Sequence, residues 1–165
     1  MNLCLKDAFT SQSFNKTYEY SFTAEQLGDL PAPLLSDAVT VTLNVVGENK
    51  YVVCNTTITG DFSVNCGRCA KEYTLNFECS TQKPVLCDDG ILDQDAIYLN
   101  TAYCFNVIDE AYAQLHFEFP MAPLCSNDCK GLCPVCGCDL NVQQCSCDIR
   151  TVDPRLAVLK TLFDK

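Results

Sequence analysis

The chain has 165 residues, a formal net charge of −10 and 14 cysteines. That length supports one ordinary core, or a modest core with a metal-stapled appendage. The acidic balance is a poor surface for gripping phosphates unaided. The longest apolar runs are broken by Asp, Asn or Glu well before the roughly 18 residues a membrane helix requires. The charge is also uneven: residues 1–124 hold 16 acidic and 6 basic side chains, and residues 125–165 hold 5 of each.

In chain order, Met1 to Phe14 contains one lysine, one aspartate and no apolar run of signal-peptide length, so a cytoplasmic, reducing setting is expected. Tyr18 to Phe22 reads as a strand, and Ala24 to Leu27 as a short helical turn before Pro31-Ala32-Pro33. From Val39 to Val46 apolar and polar residues alternate with the period of a half-buried strand. Gly47-Glu48-Asn49-Lys50 is the expected turn. Further strands are predicted at Tyr51 to Ile58, Asp61 to Asn65 and Tyr73 to Cys79, with Thr59-Gly60 as a break, which together suggest an antiparallel meander.

Asp88, Asp89, Gly90, Asp93 and Asp95 read as a solvated acidic loop, because the ligand spacing of a calcium hand is missing. A helix is expected near 101–119, capped by Asn100 or Thr101, with Ile108, Ala111, Tyr112, Leu115 and Phe119 as its apolar stripe and Pro120 as its stop. The only histidine, His116, lies in that helix and is read as structural, since it has no partner ligands in sequence. Asp153-Pro154 is a strong helix start, with Leu156, Leu159 and Phe163 on one face.

The chemistry lies in the thiols. Seven fall close together: Cys125, Cys129, Cys133, Cys136, Cys138, Cys145 and Cys147. In a reducing compartment, paired C-x-x-C and C-x-C spacings fit Zn²⁺ in tetrahedral thiolate sites better than disulfides. Cys133-Pro134-Val135-Cys136-Gly137 has the form of a zinc knuckle, and with Cys145 and Cys147 it makes one complete ligand set. Cys66-Gly67-Arg68-Cys69 supplies only half a site and must recruit two more thiolates, for which Cys125 and Cys129 are the natural candidates. Two zinc ions held by eight cysteines are therefore expected. Cys138 stays open between ligand and bystander. Cys4, Cys54, Cys79, Cys87 and Cys104 are each expected to be small buried apolar residues. A thiol redox role for Cys66 and Cys69 is disfavoured, because Lys71 to Thr74 reads as strand where a redox dithiol wants a helix N-terminus.

Several segments together resemble the YceD-like family, the large ribosomal RNA subunit accumulation proteins. They are Cys66-Gly67-Arg68-Cys69 with Tyr73, Phe119 to Cys125, Asp128 to Gly137, Asp139-Leu140-Asn141, Cys145-Ser146-Cys147 and Asp153 to Leu156. The resemblance covers about Val39 to the C-terminus and departs from the usual pattern at Cys138. It implies a cytosolic bacterial protein, or an organellar counterpart, that supports 23S ribosomal RNA accumulation and biogenesis of the large ribosomal subunit, with no catalytic activity.

The expected fold class is α+β: an antiparallel β-rich domain with a packed helix over residues 1–124, then a Cys-rich zinc-binding module and terminal helix over 125–165. The expected partners are a large-subunit precursor, a basic ribosomal protein or an rRNA-processing factor. Charge favours such an adaptor over a module that reads RNA directly through Lys130, Arg150, Arg155 and Lys160. No small-molecule substrate and no membrane are implied.

Overall fold

The computed structural model describes residues 1–49, 51–87 and 95–147. Asp88, Asp89, Gly90 and Asp93 of the expected acidic loop lie outside these, as do the helix expected from Asp153 and the basic residues Arg150, Arg155 and Lys160. The chain forms two compact units, one of Met1–Val64 with Glu72–Pro123, the other of Asn65–Lys71 with Leu124–Lys165.

The first unit is α+β. Its elements are β1 (Asn2–Cys4), α1 (Lys6–Thr10), β2 (Ser13–Phe22), α2 (Ala24–Leu27), β3 (Val39–Glu48), β4 (Tyr51–Asn65), β5 (Glu72–Cys87), β6 (Ile97–Leu99), β7 (Cys104–Asn106) and α3 (Val107–Glu118). Five strands form one sheet in the order β2-β3-β4-β5-β6, and β1 pairs with β7 in a second, two-stranded sheet. β2, β3 and β4 are an antiparallel meander. Across β4 and β5, Thr57 meets Ser80 and Asp61 meets Asn76, so the numbers rise on one strand as they fall on the other, the antiparallel sense. The last pair departs from the meander, because β6 runs parallel to β5.

Alternation explains the core. Val39, Val41, Leu43 and Val45 of β3 are buried while the residues between them are not. On β4, Val52, Cys54, Thr56, Ile58, Phe62 and Val64 keep one even-numbered face inward, with Gly60 half-buried between them on one continuous strand. The break expected at Thr59-Gly60 is therefore absent. Gly60 lies on the inner face of a continuous strand, where a Cβ would come within 3.3 Å of the Phe62 ring and 3.5 Å of Val39 Cγ2. Close packing, rather than a turn, accounts for this glycine. Phe62, Phe77 and Phe119 form an aromatic cluster with ring centroids 5.2 to 6.0 Å apart.

The helix also begins later than expected. Asn100 does cap, but it caps a tight turn: its Oδ1 accepts from the N–H groups of Ala102 and Cys104, each at 3.0 Å. Tyr103 then takes a left-handed φ of 60°, β7 follows, and α3 starts with Asn106 accepting from the Ile108 N–H at 3.2 Å. Ala111 and Leu115 are buried as expected, whereas Tyr112 is exposed and the buried polar residue Gln114 joins the inner face. Gln114 spends its amide on the Thr56 carbonyl at 3.4 Å and Cys79 Sγ at 3.6 Å. His116 lies against Tyr112, ring centroids 4.3 Å apart and tilted by 48°, and bonds the Asp29 carbonyl at 2.7 Å, tying α3 to the chain after α2.

The scattered cysteines differ from expectation in three places. Cys4 and Cys104 are joined in a disulfide, because the β1–β7 register sets them directly opposite with Cα atoms 3.9 Å apart. Cys4 and Cys87 are exposed, and Cys79 is only partly buried. Cys54 is fully buried, as expected. Among the described residues no helix is long and apolar enough to cross a membrane.

Candidate metal centres

The second unit contains both thiol sets. Cys66 and Cys69 sit on a turn whose start and end are tied by the Cys66 N–H to the Lys71 carbonyl at 2.9 Å. Inside it, the Arg68 N–H points at Cys66 Sγ, 3.4 Å away, and the Ala70 N–H closes on the Cys66 carbonyl at 2.9 Å. The turn at Cys133 repeats this pattern: the Val135 N–H points at Cys133 Sγ at 3.4 Å, and the Gly137 N–H closes on the Cys133 carbonyl at 2.8 Å. Each is a knuckle that aims backbone N–H dipoles at a sulfur, which favours its ionised form.

The four sulfurs of Cys66, Cys69, Cys125 and Cys129 lie within 4.8 Å of one another, and so do those of Cys133, Cys136, Cys145 and Cys147. In the first set Cys66 Sγ is 3.8 Å from Cys129 Sγ, and Cys69 Sγ is 3.7 Å from Cys125 Sγ. A disulfide needs about 2.0 Å. A tetrahedron with metal–sulfur bonds of about 2.3 Å, the length thiolate takes with zinc, has edges of about 3.8 Å. The sulfur spacing therefore fits four thiolates around one ion. Cys66, Cys69 and Cys129 are buried; in the second set Cys133 is buried and Cys136 exposed.

The electrostatics of each set point the same way. Backbone N–H groups of Cys125, Cys69 and Arg68 hold the Cys66 thiol down at about 6, and those of Cys136 and Val135 hold Cys133 at about 6. Loss of solvent and the neighbouring thiols push Cys125 up to about 12. Hydrogen bonding to Cys136 and loss of solvent push Cys147 up to about 12. Cys66 in the first cluster and Cys133 in the second form thiolates readily, while Cys125 and Cys147 resist joining them. A divalent cation removes that resistance by supplying the missing positive charge.

The expected ligands thus converge in two groups of four. Cys138 stands beside the second group, its thiol pushed up to about 12 by hydrogen bonding to Cys136 and by loss of solvent, while its carbonyl accepts the Cys133 N–H at 2.8 Å. Sequence reasoning passed over two supporting residues. Arg68 is the first: its Nη1 donates to the Cys129 carbonyl at 2.9 Å, and its own carbonyl accepts the Leu132 N–H at 3.2 Å. Its place between the two cysteines of C-x-x-C is the only sequence signal for that role. The second is Asn141, which was visible only as part of Asp139-Leu140-Asn141.

A strand-rich α+β fold and two clusters of four cysteines, each able to hold a metal ion, define the class of this protein. The family described as large ribosomal RNA subunit accumulation protein YceD matches residues 54–163, and the chain belongs to it. That family is one of ribosomal RNA accumulation proteins, not a known enzyme family, and membership gives this chain a role in large-subunit RNA accumulation. No curated protein and no solved structure matches the chain.

Proposed function

We propose that this protein is a non-enzymatic cytoplasmic factor for 23S ribosomal RNA accumulation and large-subunit biogenesis. In this reading Cys66, Cys69, Cys125 and Cys129 hold one Zn²⁺, and Cys133, Cys136, Cys145 and Cys147 hold a second. The observation that carries it is the closure of both sets. Four thiols converge in each, which leaves no position for the water a catalytic zinc keeps. Zinc here serves folding, since binding worth on the order of 10 kcal/mol offsets the ordering of short loops that bury little apolar surface.

The first unit carries the docking role. It holds the 16 acidic residues that precede position 125, and of the 6 basic ones Arg68 and Lys71 belong to the second unit, leaving 4. Such a surface suits a basic ribosomal protein or processing factor and repels bare phosphate. Lys130, exposed in the second unit, leaves direct RNA contact as the second reading.

Two measurements test this. Elemental analysis of protein purified under reducing conditions should find about two zinc ions per chain, and Cys136→Ser should lose one while the β-rich unit stays folded. No zinc ends the metal reading. Titration against a 23S fragment at rising salt should show weak binding, while pull-down at mild salt should recover pre-50S particles or a basic protein. Tight, steeply salt-dependent binding of RNA alone would overturn the adaptor in favour of the RNA reader.

A further inference from the structure

The loop that spans the second thiol set reaches back to the first. Between Cys138 and Cys145, Asn141 directs its side-chain Nδ2 at Cys129 Sγ, 3.4 Å away. The same carboxamide accepts the Lys130 N–H on Oδ1 at 2.8 Å and donates to Asp139 Oδ1 at 2.7 Å. Its backbone N–H also bonds Asp139 Oδ1 at 2.8 Å. Every polar atom of this side chain is thus engaged, and two of the contacts fall on a first-set ligand and the residue after it.

What holds Asn141 there is the second set. The Cys133 N–H to Cys138 carbonyl bond, the bridge between Leu132 and Asp139, and the Leu140 N–H to Gly131 carbonyl bond at 2.9 Å zip residues 131–133 to 138–140. Cys133 and Cys136 anchor one end of the Asn141 loop, and Cys145 and Cys147 the other. When their sulfurs share an ion, the loop is closed. When they do not, only the short zipper restrains it.

We propose that Asn141 is a positioning residue that couples the two metal centres: closure of the second site delivers a hydrogen bond to the Cys129 thiolate and so retains the metal of the first. A donor on a metal-bound thiolate fixes the sulfur's orientation toward the ion, and losing such an outer partner weakens metal retention. Metal should therefore leave the second site first, and the first site should loosen when it does. This rests on the two-zinc reading above.

The test uses the full chain. Loaded with ¹¹³Cd, the wild-type protein should show two tetrathiolate resonances, and the Asn141 side-chain amide proton should carry a scalar coupling to the first-site cadmium through the Cys129 sulfur. In Asn141→Asp, which keeps the shape and the Oδ1 acceptor but loses the donor, the first-site resonance should shift. Zinc release from that site into a chelator should quicken about tenfold or more. Emptying the second site with Cys145→Ser should quicken it comparably, and combining the two changes should add little. Fewer than two metals in the wild-type protein would sink the two-zinc reading itself. Two metals with no amide coupling, or with first-site release unchanged in both variants, would sink the coupling alone.

Discussion

Ala70 and Gly137 occupy the same position in the two knuckles, each four residues after the first cysteine and each closing its turn onto that cysteine's carbonyl. Both are left-handed, with φ of 57° and 73°. Glycine takes that conformation freely, and an L side chain pays about 1 to 2 kcal/mol for it. Ala70→Gly should therefore stabilise the metal-loaded protein by up to about 1 kcal/mol, after the greater freedom of glycine in the unfolded chain is subtracted. Gly137→Ala should destabilise by about 1 kcal/mol through the backbone alone, because nothing lies within 4 Å of the added Cβ. Chelator-induced unfolding midpoints check both, and shifts of the opposite sign would show that the knuckles relax out of these conformations.

Cys54 gives a pH prediction. Burial pushes its thiol up from the ordinary 9.0 to about 11, partly opposed by its contact with Thr56 Oγ1 at 3.7 Å. Between those values the unfolded chain has lost the proton and the folded chain has kept it, so stability falls as pH rises from about 9 to 11 and is untouched below. Wild type should lose more stability over that interval than Cys54→Ala does. At pH 8 the native thiol should resist alkylation that labels it readily in denaturant. Equal labelling in both states would refute its burial.

The Cys4–Cys104 disulfide joins residues 100 apart in sequence. Cross-linking so long a loop restricts the unfolded chain and is worth about 2 to 4 kcal/mol. Reductant should lower wild-type stability by that order, whereas Cys4→Ser should already be lower and insensitive to reductant. Denaturant midpoints measured with and without dithiothreitol decide this. A wild type indifferent to reductant would mean that the bond does not form in solution.

Local pattern carried far in this chain. The alternation of Val39 to Val45 sets which side of β3 is buried, because side chains on a strand point to opposite faces in turn. Thr23 and Gln26 form the capping box of α2 within four residues, and the C-x-x-C spacing of each knuckle needs only nearby backbone to aim amides at its sulfur. Such features depend on neighbours in sequence and can be read there.

Other features depend on who lies opposite. Thr59-Gly60 looks like punctuation until Phe62 and Val39 occupy the space a side chain would need. Residues 101–106 fall within the expected helix until Cys104–Asn106 finds β1 across 100 residues of chain, and the same register turns two unremarkable cysteines into a disulfide. Cys66 with Cys69 and Cys125 with Cys129 are two close pairs in sequence, yet only folding brings Cys66 to 3.8 Å from Cys129 and Cys69 to 3.7 Å from Cys125, sulfur to sulfur. The role of Asn141 is the furthest from view. A hydrogen bond to a sulfur twelve residues away leaves no periodicity or spacing of its own, so it arises only when the chain between them has closed.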